Sequence, residues 1–282
     1  MKLTAEAKKL IDIAIQEDLG DGDHTSLSTI PEKARGKAKL IVKQNGVLVG
    51  AQLAQYIFKK LDPSVEINFF QKDGDIIKVG DISLEVEGNA RELLRAERIV
   101  LNFMQRLSGI ATETKKYVDL ISGTKAKVLD TRKTTPGLRY FEKYAVAMGG
   151  GANHRMGLYD LIMIKDNHID FAGGITQAII AADKYLKLHN KNLKIEIEAR
   201  SFDEVNAILK LGIGHRIMLD NFSVEDTKEA VILIDGRFET ESSGGITFET
   251  IRDYALCGVD FISVGALTHQ IKSLDLSLKA TF

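Results

Sequence analysis

From residue 127 onward the chain repeats one rhythm: a short apolar run that ends in charge or glycine, then a stretch spaced for an amphipathic helix. The apolar runs are KVLDT (127–131), LIMIK (161–165), LKIEIEA (193–199), HRIMLD (215–220), RFETES (237–242) and DFISVG (260–265). Between them GITQAIIAADKYLKLH, SFDEVNAILKLG, SVEDTKEAVILI and TFETIRDYALCG carry helical periodicity. Strands alternating with helices imply parallel pairing and right-handed crossovers. Six such units fall short of an eight-stranded closure. The pattern therefore predicts an α/β fold built on an incomplete (β/α) barrel, with a doubly wound open sheet as second choice. No glycine-rich dinucleotide fingerprint follows any of the runs, which counts against the open sheet.

The first hundred residues have a different rhythm. Residues 3–19 read as a helix with Leu10, Ile11, Ala14 and Ile15 on one face and Gly20 as its stop. EDLGDGDHT lacks the twelfth-position glutamate of a calcium loop and reads as a capping turn. KAKLIVKQNGVLVG predicts a hairpin turning at Asn45-Gly46, and AQLAQYIFKKL a helix. Short strands broken by Gly-Asp turns follow, so this half reads as an α+β sandwich. NARELLRAERIVLNFMQRL and GIATETKKYVDLI then predict two consecutive helices, with Ser108 as a cap between them and Gly123 as a stop.

Composition narrows the function. A formal net charge of -1 argues against a nucleic-acid binder, so any cationic patch is local and suited to small anions. The single cysteine, Cys257, forbids an intrachain disulfide, points to a reducing compartment and reads as a structural thiol in an apolar helical pattern. With no apolar run long enough to span a bilayer and a charged N-terminal stretch, the expectation is a soluble cytoplasmic protein.

In a parallel α/β protein the ligand site lies beyond the C-terminal ends of the strands. Those ends carry Asp130, Thr131, Arg132 and Lys133; Lys165 to His168; Glu196 and Glu198; Asp220 and Asn221; Glu241 to Gly245; and Ser263 and Gly265, with His269 shortly after. Glu196 and Glu198 alternate with isoleucines and share one side of their strand with Lys194. An internal Lys194 salt bridge and a site role both remain open for Glu196, whereas Glu198 beside Asp220 suits a hard, oxygen-seeking ion that bridges a phosphate. SSGGIT and VGAL place glycines where backbone N–H groups can approach a phosphate. GGGANHRMG adds His154 and Arg155 to Arg132, Lys133 and Lys165. That cationic group exceeds the need of one phosphate and fits a guest with more than one carboxylate.

LDTRKTTPGLR, GGGANHRMGLYDLIMIKDNHI, IEIEA, IMLDNF, SSGGIT and ISVGALTH, together with EDLGDGDHT and ERIVLNFMQRLSGIAT, resemble the quinolinate phosphoribosyltransferase family over residues 17–278. Phe222, Ser242 and Gln270 depart from the family's usual residues without removing a charged group. The resemblance implies an N-terminal α/β sandwich domain (1–109) packed on an incomplete (β/α) barrel (110–271), with the tail 272–282 returning to the first domain. It also implies the reaction of quinolinate with phosphoribosyl pyrophosphate (PRPP) to give nicotinate mononucleotide, pyrophosphate and CO2, aided by Mg2+. Carried over by position, Arg132, His154, Arg155 and Lys165 resemble the quinolinate pocket, joined by Arg98 from the neighbouring subunit of a homodimer or larger assembly. Lys133, Glu198 and Asp220 resemble the PRPP and metal group, and Ser243, Gly244, Gly265 and His269 the 5′-phosphate cradle. Lys133, Lys165, Glu198 and Asp220 are the residues expected to act in catalysis, and Lys165 or His154 to supply a proton. The rivals are a paralogous phosphoribosyltransferase with another acceptor, a lyase barrel using Lys165 or Lys133 as a Schiff base, and a non-catalytic phosphate-sensing module.

Overall fold

A computed structural model describes residues 1–281. In chain order the elements are α1 (Ala5–Leu19), α2 (His24–Thr29), β1 (Arg35–Val42), β2 (Gly46–Val47), α3 (Ala51–Leu61), β3 (Glu66–Phe69), β4 (Ile76–Ile77), β5 (Ile82–Asn89) and α4 (Ala90–Leu120). Then follow β6 (Lys127–Leu129), α5 (Arg139–Met148), β7 (Ile162–Ile164), α6 (Asp166–Ala172), α7 (Ile175–Leu188), β8 (Ile195–Ala199) and α8 (Phe202–Leu211). The chain ends with β9 (Arg216–Asp220), α9 (Val224–Ile234), β10 (Glu239–Ser243), α10 (Ile251–Leu256), β11 (Phe261–Ser263), α11 (Ala266–His269) and β12 (Leu276–Thr281). Two compact units result, one of residues 1–115, 134–150 and 267 onward, the other of 116–133 and 151–266. Residues 134–150, which carry α5, therefore group with the N-terminal residues.

In the first unit an antiparallel sheet runs in the order β12-β1-β5-β3. Leu40 sits opposite Leu278 on one side and Leu84 on the other, and all three are buried. The capping turn forms: the Asp23 carboxylate accepts the Ser26 N–H at 3.1 Å and starts α2. The hairpin at Asn45-Gly46 does not. β1 pairs with β5 and β12, and β2 pairs instead with β4. Gly46 has no positive φ, so the hairpin turn is not made. It is glycine for another reason: a Cβ there would crowd Thr112 Oγ1 and Leu274.

The pair of helices predicted across residue 108 is one helix of 31 residues, α4. Ser108 does not cap it. Its hydroxyl is wholly buried and accepts the Val49 N–H at 2.9 Å. Gly109 does not break it either, because a Cβ at that position would overlap the carbonyl of Lys272. Both residues were small for packing, which sequence spacing cannot distinguish from a helix boundary.

In the second unit six parallel strands run in the order β6-β11-β10-β9-β8-β7. β6 and β7 stand at the two edges, so this is the incomplete (β/α) barrel, and all six predicted strands are present. Ile195, Ile197 and Ala199 on β8 pack with Ile217, Leu219, Val205, Ile208 and Ile179 in one buried cluster. Strand alternation then turns Glu196 and Glu198 to the opposite face. Cys257 is partly buried, with its Sγ 3.3 Å from the Val224 carbonyl and its pKa raised by burial, the reverse of an activated thiol. Among the described residues no helix is long and apolar enough to cross a membrane.

Replacing Gly109 by alanine should gain up to about 1 kcal/mol of helix propensity but cost roughly 1–3 kcal/mol in overpacking against a backbone carbonyl that cannot rotate away. Denaturant unfolding should therefore show a net loss of stability; an unchanged or raised midpoint would refute the close approach.

Candidate active site

Asp130, one residue past β6, is wholly buried and organises the loop across the edge of the sheet. Its Oδ1 accepts the His154 N–H at 2.8 Å, and its Oδ2 accepts Asn153 Nδ2 at 2.6 Å. Backbone bonds between Ala152 and Val128 and between Asp130 and Ala152 continue the same junction. Arg132 and Arg155 are thereby brought together. The Arg155 guanidinium has its pKa lowered by burial first and then by the positive charge of Arg132. Arg132 Nε is buried with no hydrogen-bond partner. Two partly buried guanidiniums that repel each other, one with an orphaned donor, make a receptor for an anion.

On the next two strands the charge is reversed. Lys165, at the end of β7, donates from Nζ to Glu198 Oε2 at 2.9 Å. Asp220 ends β9, and its pKa is raised by burial and then by the Glu198 carboxylate. Asn221 donates to Asp220 Oδ2 at 2.7 Å and takes a left-handed backbone with φ 58°. Its N–H reaches the Ser243 carbonyl at 2.8 Å, which ties the ends of β9 and β10 together. Gly244, with φ 93°, admits this approach because any Cβ there would overlap the Asn221 amide. Ser243, Gly244 and Gly245 thus follow one strand end, and Gly265 follows Ser263 on the adjacent one. Lys133 is exposed and its N–H is turned onto Thr131 Oγ1 at 3.0 Å. Arg98 and His269 are exposed residues of the first unit.

A second polar group fills the barrel interior. Glu196 and Glu241 have no exposed side-chain surface. His154 Nε2 lies 3.1 Å from Glu196 and 3.6 Å from Glu241, while Arg216 Nη1 donates to Glu241 at 2.8 Å. Lys194 is exposed, and the salt bridges of Glu196 among the described residues are with His154 and Arg216. The internal Lys194 salt bridge is therefore replaced, because a lysine before the strand begins stays in solvent whereas Arg216 opens the neighbouring strand inward. Burial raises both glutamates to about 7, opposed at Glu196 by Arg216 and reinforced at Glu241 by the other carboxylate. His154, Glu196 and Glu241 hold donor atoms within 4.8 Å of one another, a spacing open to a metal, but Arg216 already occupies the cation's place.

Arg216 was not among the predicted site residues, and Glu241 was read only as a polar strand-end residue with no role of its own. The signal was present: in HRIMLD the arginine is in phase with Met218 and Asp220, and in RFETESS Glu241 is in phase with Glu239 and Ser243. A lone arginine at the start of a strand is indistinguishable by pattern from a solvated flank.

Comparison with known proteins agrees over almost the whole chain. Residues 23–108 match the quinolinate phosphoribosyl transferase N-terminal domain and residues 110–279 its C-terminal domain. The chloroplastic nicotinate-nucleotide pyrophosphorylase (carboxylating) of Arabidopsis thaliana is 47% identical, covering 98% of this chain and 83% of that one. A probable nicotinate-nucleotide pyrophosphorylase (carboxylating) of Bacillus subtilis is 42% identical, covering 98% and 94%. The crystal structure of NadC from Streptococcus pyogenes superposes with a TM-score of 0.94 at 40% identity, covering 100% of this chain and 99% of that one. The nicotinate-nucleotide pyrophosphorylase from Francisella tularensis gives 0.91 at 42%, covering 97% and 95%.

The raised glutamates carry a pH signature. The folded chain keeps protons that the unfolded chain releases at ordinary carboxyl values, so their stabilisation is complete below about pH 4.5 and is lost as pH rises toward about 7. The limiting slope is about 1.4 kcal/mol per pH unit for each proton. Glu241→Gln, neutral at every pH, should flatten the decline in melting temperature across this window. An undiminished decline in that variant would mean that Glu241 does not hold the proton.

Proposed function

The chain belongs to the quinolinate phosphoribosyltransferase family, and on that premise we propose how its residues divide the reaction. Phosphoribosyl transfer from PRPP to quinolinate with decarboxylation yields nicotinate mononucleotide, pyrophosphate and CO2 for NAD biosynthesis. The observation that carries the division is the charge left uncompensated at the two ends of the site. Arg132 and Arg155 repel each other with a donor to spare, and Asp220 and Glu198 are two carboxylates served by one lysine.

The arginine pair takes the carboxylates of quinolinate, with His154 and Lys165 beside it and Arg98 supplied by the neighbouring subunit of a homodimer. Glu198 and Asp220 face the ribose, and Lys133 takes the pyrophosphate. Ser243, Gly244 and Gly265 offer small side chains and backbone N–H groups to the 5′-phosphate. A magnesium ion suits Glu198 and Asp220, since both offer hard oxygen and Asp220, raised first by burial, also lies in the field of the Glu198 carboxylate. When bound it supplies charge neutralisation for the pyrophosphate. A cytoplasmic location fits the lone cysteine.

In the chemical steps the pyridine nitrogen bonds to the anomeric carbon as its bond to pyrophosphate breaks. Positive charge grows on the sugar, where Glu198 and Asp220 favour it, and negative charge on the leaving group, where Lys133 favours it. The adduct has a cationic ring nitrogen beside the 2-carboxylate. Cleavage of that carbon–carboxylate bond releases CO2 and leaves an electron pair next to the cation, which a proton then takes up. Lys165 is better placed than His154 to give that proton, because its side chain is 43% exposed whereas that of His154 is 6% exposed with both nitrogens on protein partners. The arginines must orient the 2-carboxylate without holding it so tightly that its loss slows.

Formation of nicotinate mononucleotide and CO2 from quinolinate and PRPP, with and without magnesium, tests the reading directly. Arg132→Ala should lower kcat/KM for quinolinate by about 2–4 kcal/mol, and normal kinetics would exclude it from the pocket. Mixing Arg98→Ala with Lys133→Ala subunits should restore partial activity through hybrid dimers that keep one complete site. Failure to complement would remove the shared-site assignment.

A further inference from the structure

Arg216 opens β9, at the opposite end of that strand from Asp220. Its Nη1 donates to Glu241 at 2.8 Å, and its Nε and Nη2 reach Glu239 at 3.3 and 3.1 Å. The guanidinium lies 3.8 Å over the Phe261 ring and 3.8 Å from Glu196. Glu196 and Glu241 in turn face His154 Nε2, and His154 Nδ1 accepts the Arg155 backbone N–H at 2.7 Å. A continuous run of polar contacts therefore passes from the start of one strand to the backbone of an arginine at the anion receptor.

Each member of this run is constrained. Glu196 and Glu241 are wholly buried, the His154 side chain is 6% exposed and Arg216 is 14% exposed. With Nδ1 on the Arg155 amide and Nε2 on Glu196, the imidazole acts as a rigid spacer with a fixed orientation. A buried ion pair gives little net stability over apolar residues of the same volume. Stability alone therefore does not account for two carboxylates and an arginine in this interior. Orientation does: an arginine that must meet a carboxylate in a fixed pose requires a fixed backbone.

We infer that Arg216 is a positioning residue for the acid substrate: through Glu241 and Glu196 it fixes the His154 ring, and through that ring the backbone of Arg155. The inference rests on the assignment of Arg155 to quinolinate. It predicts that a residue remote from the C-terminal strand ends governs one substrate and not the other.

The test is steady-state kinetics on the full-length enzyme, corrected for the folded fraction, with Arg216→Met, Arg216→Lys, Arg155→Ala and the Arg155→Ala/Arg216→Met double variant. Arg216→Met should raise KM for quinolinate by on the order of tenfold and leave KM for PRPP unchanged. Arg216→Lys should recover part of the loss, since it keeps a cation beside the carboxylates. The double variant should be no worse than Arg155→Ala alone, because Arg216 acts through Arg155. If Arg216→Met fails to fold, Arg216→Met/Glu241→Met removes cation and anion together and should show the same quinolinate-specific rise. Equal shifts in both KM values, no shift at all, or additive losses in the double variant would overturn the inference. A silent Arg155→Ala would instead overturn the pocket assignment beneath it, and the inference with it.

Discussion

Charge sits inside this barrel where branched aliphatic residues ordinarily pack. Glu196 lies two residues from Glu198 on one strand, and alternation sends both to the same face while Ile195, Ile197 and Ala199 fill the apolar layer behind. Removing a carboxylate from water costs several kcal/mol unless cations and donors replace the solvent. Much of the surrounding sequence answers that demand. Arg216 begins the next strand facing inward, His154 is delivered on a loop held by Asp130, and Lys165 closes on Glu198.

What those neighbours leave unanswered is the functional part. Glu196 and Glu241 are partnered internally, by Arg216 and His154. Glu198 and Asp220 share a single lysine, and the Asp220 carboxyl is raised first by burial and then by the Glu198 charge. Arg132 and Arg155 carry the opposite excess. In the proposed assignment a cation-forming sugar and a dianionic ring supply both missing charges, the first as its transition state develops and the second from the outset. On the proposed division of the reaction, the charges left over at the strand ends are complementary to the transition state, and the electrostatic stabilisation is preorganised.

The regular parts of this arrangement were legible in the sequence, and the irregular parts were not, for physical reasons. Six strands and their crossovers follow from local periodicity, which burial on one face enforces residue by residue. The break at residue 108 and the hairpin at residue 45 failed because Ser108, Gly109 and Gly46 are small to admit distant chain: Val49, Lys272 and Thr112. Long-range approach leaves the same trace in sequence as a cap or a turn. Among the candidate site residues, strand-end position picked out Arg132, Lys165, Glu198 and Asp220. Arg216 escaped because its partners Glu239 and Glu241 lie on another strand, and register between strands is absent from a one-dimensional pattern.

Arg132 and Lys133 show where pattern reaches its limit. Neighbours on a strand point to opposite faces, and that rule would separate these two cations. Yet β6 ends at Leu129, so no pleat governs residues 130–133. They are separated by loop chemistry: Asp130 is buried as an acceptor for the His154 and Asn153 donors, and Thr131 Oγ1 turns back to accept the Lys133 N–H. Arg132 is left half-buried beside Arg155 and Lys133 exposed. The different environments of the two cations therefore depend on one buried aspartate and one threonine hydroxyl. With Arg132 proposed for quinolinate and Lys133 for pyrophosphate, Asp130 and Thr131 separate the two roles without touching either substrate.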